Sequence, residues 1–211
     1  MPRKPSYDRE DLIRRARDTF WNQGWAGTSL KNLETTLHLK PGSFYAAFGS
    51  KDALYQLALD QYAVDGAATL AALEHAHGPL GALQALPRHV IENKAAPARA
   101  CMLAKTFLEL SPHGHPLADH ANGHLTRMEH RFADLFGKAQ AQNQISIGHD
   151  PHGLARRYQS DLLGLRISAE RPDYDAAATA LEIAQSLSLS LIHICSLRPR
   201  RSVKRSSPPE P

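Results

Sequence analysis

A chain of 211 residues can bury one large core or two small ones, and its 42% hydrophobic content is ordinary for a soluble globular protein. No apolar run approaches membrane-spanning length and the first twelve residues lack the apolar centre of a signal peptide, so a cytoplasmic protein with no membrane partner is expected. The formal charge of +4 does not mark a nucleic-acid binder: Arg198, Arg200, Arg201, Lys204 and Arg205 against Glu210 supply all of it, leaving residues 1–197 with acidic and basic groups in equal number.

Met1 to Ser6, with Arg3 and Lys4, reads as a short solvated arm. The first helix is expected from about Asp8 to Asn22, because Leu12, Ala16 and Phe20 recur every four residues with Ile13 beside them. Asp8, Glu10 and Asp11 suit its positive N-terminal end, and Gly24 can close it. Trp25 is expected as a plug between helices. A second helix starts after Ser29, whose hydroxyl can cap it, and places Leu30, Leu33 and Leu37 on one face. Pro41 fits the first position of a third helix, where a missing N–H costs nothing. Phe44 and Phe48, four apart, turn back toward the leucines and leave Lys40, Gly42, Ser43, Tyr45 and Ala46 outward. A short helix pinned by two aromatics and showing small polar residues outward is built to enter a major groove. Ser50 and Lys51 open a fourth helix that carries Leu54, Leu57 and Ala58 and continues past Tyr62 toward Gly66 or beyond.

Gly27-Thr28-Ser29-Leu30, Leu33, Lys40-Pro41-Gly42-Ser43-Phe44-Tyr45 and Phe48-Gly49-Ser50-Lys51-Asp52-Ala53-Leu54 resemble the DNA-binding signature of the TetR/AcrR family of transcriptional regulators. That resemblance implies an all-α protein. Residues 6–66 would be a three-helix DNA-binding domain with its helix-turn-helix at about 29–48, and residues 67–187 a larger helical domain for effector binding and dimerisation. It implies a homodimeric repressor of a palindromic double-stranded DNA operator, released by a small-molecule or thiol-reactive effector. Thr28, Tyr45 and Lys51 would then approach phosphates, Ser29 joins the DNA-binding set at the start of the second helix, and Lys40, Gly42, Ser43 and Phe44 lie nearest the bases, Phe44 with a pull toward the core. The family commonly has a glycine where His38 stands, so a turn without a left-handed glycine is expected.

From about Leu70 the chain becomes Ala/Leu-rich helices broken at Gly78-Pro79, Ala96-Pro97, Ser111-Pro112, Gly148–Gly153 and Arg171-Pro172. The helical segments fall near 80–94, 98–110, 116–143, 153–170 and 173–189, with no strand-like alternation. Leu154, Tyr158, Leu162, Leu163 and Leu165 load one of the last two helices, and Ala177, Leu181, Ala184 and Leu187 the other. By the resemblance, these two helices form the subunit contact as half of a four-helix bundle. Beyond them, Leu189 to Ile194 looks like the translation of a transposon-end adapter. Native sequence is therefore expected to end near Leu187, with residues 188–211, Cys195 included, a disordered read-through tail.

Cys101, between Arg99 and a helix start, resembles the Gly-Cys-Leu cysteine of a TetR subgroup that senses electrophiles, with Ala100 in place of the glycine; the plainer reading is a buried, inert thiol. Met102, Leu103, Phe107, Met128, Phe132 and Phe136 are candidates for an effector cavity, or else simple core. His113, His115, His120, His124 and His130 cluster, and His120 and His124 share a helical face; without the hydrolytic His-Glu-x-x-His pattern they read as solvated or capping groups, and no metal is expected. With no phosphate loop or nucleophile elbow, neither an enzyme nor a cofactor is expected. The rival reading is a helical ligand-binding or redox-responsive protein whose DNA head has degenerated.

Overall fold

The computed structural model describes residues 8–189, so the basic arm before Asp8 and the tail after Leu189, with Cys195, lie outside the described residues. Eight α-helices and one 3-10 turn make up the regular structure, and no strand occurs among the described residues. The fold is all-α.

Four helices build the head. In α1 (Arg9–Gln23) the Asp8 carboxylate accepts from Glu10 N at 3.0 Å, and Leu12, Ile13, Ala16, Phe20 and Trp21 are buried. Gly24 stops the helix at φ 77, a left-sided angle that glycine adopts at no steric cost. A Cβ there would also lie 2.9 Å from the Glu109 carboxylate, which would have to shift to make room. α2 (Leu30–Leu37) is capped as expected, Ser29 Oγ accepting from Asn32 N at 3.1 Å, and buries Leu33 and Leu37. His38 then takes the left-handed conformation itself, φ 54 and ψ 38. The expected turn without a left-handed glycine is thus met by a left-handed histidine. Leu39 N closes the turn on Glu34 O at 3.0 Å. α3 (Pro41–Phe48) has Pro41 at its start and buries Phe44 and Phe48, whose ring centroids lie 5.8 Å apart.

The long α4 (Lys51–Glu92) is capped by Ser50, which accepts from Ala53 N at 3.0 Å. It runs unbroken well past Gly66 and interrupts its helical geometry at Gly78, where φ 72 and ψ 178 fulfil the expected break before Pro79. α5 (Met102–Leu110) is followed by the 3-10 turn Ser111–His113, then α6 (Pro116–Ala141), α7 (Pro151–Ser168) and α8 (Ala176–Leu189). α8 extends past the expected boundary at 187, and Gln84 Nε2 donates to Ser188 Oγ at 2.7 Å. α4 packs on α1, α6 and α8; α6 packs on α5 and α7.

Two apolar cores form, and their division differs from the chain's. The first joins α1–α3 and the start of α4 to Cys101, Met102, Leu103, Leu110, Leu117, Ala118 and Ala121. The second joins the later part of α4 to α6, α7 and α8 around Phe132, Phe136 and Tyr158. The head therefore shares its core with α5 and the first turns of α6. Tyr158, Leu162 and Leu165, expected in the subunit contact, are buried in the second core instead, where the Tyr158 hydroxyl donates to Leu83 O at 2.6 Å. On α8 the expected face divides: Ala177 and Leu181 are exposed, while Ala184 is half-buried and Leu187 packs against the second core.

Candidate nucleic-acid interface and effector cavity

The outer face of the head is assembled by burial on the inner one. With Phe44 fully buried, Lys40, Gly42, Ser43 and Tyr45 are exposed together on and before the first turns of α3. Tyr45 keeps half of its surface in solvent. An added Cβ at Gly42 would meet no protein atom within 4 Å, so nothing inside the fold requires glycine there. Ser29 is exposed on the neighbouring α2 beside Lys31 and Asn32, two exposed polar residues that the sequence reading passes over.

Two expected contacts change role. Thr28 is fully buried and its hydroxyl donates to Gly24 O at 2.7 Å. A β-branched residue between two helices can satisfy a terminal carbonyl this way, and the hydroxyl is then unavailable to a phosphate. Phe44 is core, closing the alternative left open by its spacing. Lys51 is half-buried, its ammonium 4.0 Å from the centre of the Trp25 ring; burial lowers its pKa from 10.5, while the Asp52 and Glu109 carboxylates pull it back up. Trp25 is the expected plug, its indole N–H donating to Asp52 at 2.7 Å.

The head is fastened to the body by α5. Lys105 Nζ donates to Trp21 O at 2.8 Å, a cation at the negative end of α1. Glu109 accepts from Trp25 N at 3.0 Å and Ala26 N at 2.8 Å, charge-assisted bonds on the loop that leads into α2. Trp21 Nε1 donates to Ala100 O at 2.7 Å. Tyr55 Oη lies 2.7 Å from Thr106 Oγ1, and burial pushes its phenol up to about 12, so it stays a neutral hydrogen-bonding group.

Above this joint lies a cavity of about 580 Å³, within the range of small-molecule sites. Its walls come from α1 (Trp21), α4 (Tyr62, Leu70), the segment leading into α5 (Cys101), α6 (Met128, Phe132) and α7 (Leu162). Arg17, Arg127, Arg131 and Arg166 supply positive charge around these apolar walls, with Asp60 and Asp65 opposing. Arg17 is engaged by Asp65, and Arg166 stacks 5.7 Å from the Trp21 ring centre. Of the expected lining residues, Cys101, Leu103, Met128 and Phe132 reach the cavity. Met102 and Phe107 do not: both belong to the head core, to which α5 turns that face. Phe136 packs in the second core.

Cys101 sits at the N-cap of α5 and is only 3% exposed. Tyr62, which shares the cavity wall, is drawn to it: burial raises the Tyr62 phenol, and the neighbouring thiol adds to the rise. The Arg99 guanidinium, expected beside the thiol, bonds instead to Ile91 O. Among the histidines, His115 does cap a helix, its Nδ1 accepting from Leu117 N at 3.2 Å. His120 and His124 depart from the solvated reading. Both Nε2 atoms meet Asp60 Oδ1, at 2.7 and 2.8 Å. Burial lowers the pKa of His124 from 6.5; the bond to Asp60 opposes it, and Arg127 and His120 add to the lowering. Neither Asp60, a single acid on a helix face, nor its meeting with α6 has a signal in the sequence.

A profile of the bacterial regulatory proteins of the tetR family matches residues 12–58, the span of α1 to the start of α4. The chain is 25% identical over 168 residues to the HTH-type transcriptional repressor ComR of Escherichia coli (strain K12), across 77% of this chain and 80% of ComR. It is 26% identical over 194 residues to the HTH-type regulator YezE of Bacillus subtilis (strain 168), across 89% and 99% of the two chains. In three dimensions it resembles a cysteine mutant of the TetR family regulator CifR complexed with 26-base-pair operator DNA. That likeness has a TM-score of 0.77 at 25% identity, over 89% of this chain and 99% of that one.

Proposed function

The chain is a TetR-family DNA-binding transcriptional regulator, and from that premise we propose that it is a repressor. It binds a palindromic operator as a homodimer and lets go when a small molecule enters the cavity. The observation that carries this reading is the shared wall: Trp21 of α1 and residues 60–70 of α4 line the cavity while their own helices hold the head. A ligand seated there with better affinity for one head position shifts the balance toward that position; equal affinity for both would shift nothing.

In this reading Lys40, Gly42 and Ser43 approach the bases, and Ser29, Tyr45 and Lys51 approach phosphates. Thr28 supports them from inside. The apolar walls and surrounding arginines suit an apolar effector bearing an acidic group. Cys101 borders the same space, but its burial and the diversion of Arg99 favour reversible occupancy over thiol chemistry. Full alkylation of Cys101 with operator affinity unchanged is the expected result; loss of affinity on alkylation would restore a thiol-reactive effector. The reading as a ligand-binding protein with a degenerate head is weaker, because His38 still closes the turn and the outward face of α3 is intact.

Repression is tested by fusing the DNA upstream of this gene to a reporter in a host that lacks the gene. Supplying the protein is expected to silence the reporter. Increased expression would mean an activator, and no change would remove this DNA as a target.

A further inference from the structure

Asp60, His120 and His124 form the one group among the described residues in which three potential metal-ligating side chains converge, with ligand atoms all within 4.8 Å of one another. We propose that this trio binds a first-row divalent transition-metal ion, with zinc as the reference, and thereby ties α4 to α6.

The chemistry of the set fits. Two imidazole nitrogens and one carboxylate oxygen are borderline donors that suit zinc, cobalt, nickel or copper rather than calcium or magnesium. His120 and His124 stand four apart on α6, so one helix face presents both rings, and Asp60 meets them from α4. The two Nε2 atoms are 3.3 Å apart. Donors at about 2.0–2.1 Å from a tetrahedral zinc ion are separated by about 3.3 Å, so the histidine pair already has the required spacing. Asp60 Oδ1 stands closer, at 2.7 and 2.8 Å, and has to back away by roughly half an ångström to seat the ion. Its side chain is 44% exposed and free to do so, whereas those of His124 and His120 are held at 11% and 27%.

The two imidazole nitrogens compete for one carboxylate oxygen, each as donor or acceptor according to its tautomer. A cation at the centre replaces that competition with three lone pairs directed at one charge. Asp60 and His124 also line the large cavity, so an ion held by them borders the space that water or an acidic group of an effector would enter. Because α4 carries the head, an ion here restrains the helix that transmits any change to DNA. That consequence, unlike the site itself, rests on the repressor reading.

The test needs no DNA. Chelator-treated full-length protein is titrated with Co²⁺, followed by visible absorption, and with Zn²⁺, followed by calorimetry. One ion per chain with tetrahedral cobalt bands is expected. His120→Gln, His124→Gln and Asp60→Asn should each weaken binding at least tenfold, while His130→Gln binds like the wild type. A wild type that takes up neither ion, or variants that bind as well as it does, would overturn the proposal. Should the variants fail to fold, the wild type still decides: Zn²⁺ is expected to protect His120 and His124 selectively from diethyl pyrocarbonate. Equal modification with and without zinc would refute the site. Neither result touches operator binding, so the two readings stand or fall separately.

Discussion

Thr28 shows how a residue in a DNA-binding motif can serve the motif from inside. Its hydroxyl satisfies Gly24 O where the chain leaves α1, and no side-chain atom reaches solvent. Thr28→Val keeps the shape and strands that carbonyl, so it is expected to cost about 1–3 kcal/mol in a urea melt, with Thr28→Ser losing less. A Val variant as stable as the wild type would mean that the bond contributes nothing. Tyr45 and Lys51 are a different case: Tyr45 is half exposed, and Lys51, half-buried, rests its ammonium on the Trp25 ring. Tyr45→Phe and Lys51→Ala are expected to weaken binding to every duplex alike, Lys51→Ala also reducing the salt slope by about one ion. Unchanged affinity across salt would release that residue from the interface. His38 is strained: a left-handed non-glycine residue costs about 1–2 kcal/mol, partly offset by the entropy a glycine would lose. His38→Gly should therefore raise stability by roughly 0.5–1 kcal/mol and keep operator affinity. A lower melting temperature would show that the imidazole stabilises the turn.

The elements of the head were legible because their signals are local. Ser29 as a cap, Pro41 and Ser50 as helix starts and Phe44 with Phe48 as a buried pair need only a few neighbouring residues to be read. The same holds for the Gly78 break. What remained hidden depends on contacts distant in sequence. Spacing gives Met102 and Phe107 an apolar face but does not say whether it meets a cavity or the head core; they meet the head core. Tyr158, Leu162 and Leu165 of α7 meet the second core for the same reason, since an apolar stripe looks alike whether its cover is a neighbouring helix or a second subunit. α5 is the element whose role was least visible and most consequential. Its Lys105 and Glu109 hold the end of α1 and the following loop, eighty-odd residues away in the chain. Glu109→Ala leaves two loop amides without their acceptor, and is expected to lower stability by about 1–3 kcal/mol in thermal or urea unfolding. It should also weaken operator binding, because α2 loses its fixed approach. If Glu109→Ala melts and binds like the wild type, the fastening lies elsewhere.

At the scale of the molecule, one shared core makes the head and α5 a unit, and a second core holds the remaining helices. The cavity lies where Trp21, from the first, faces Phe132 and Leu162, from the second. That position gives a ligand leverage on the head that a pocket within either core would lack. The proposed homodimer needs a subunit contact. Among the large apolar residues exposed in the described chain, Ile167 and Leu181, at 52% and 58% exposure, lie on α7 and α8. If the proposed homodimer closes through this face, Leu181→Asp, alone or with Ile167→Asp, gives folded monomers in sedimentation velocity and abolishes tight operator binding. A charged variant that stays dimeric would place the contact on another face. The most direct measurement is selection of binding sites from a pool of randomised duplexes by the full-length protein, followed by titration of the winner against a scrambled duplex at fixed salt. Enrichment of a palindrome, bound by two chains at least a thousand times more tightly than the scrambled duplex, is expected for a sequence-reading dimer. No enrichment, or equal affinity for both duplexes, would contradict it.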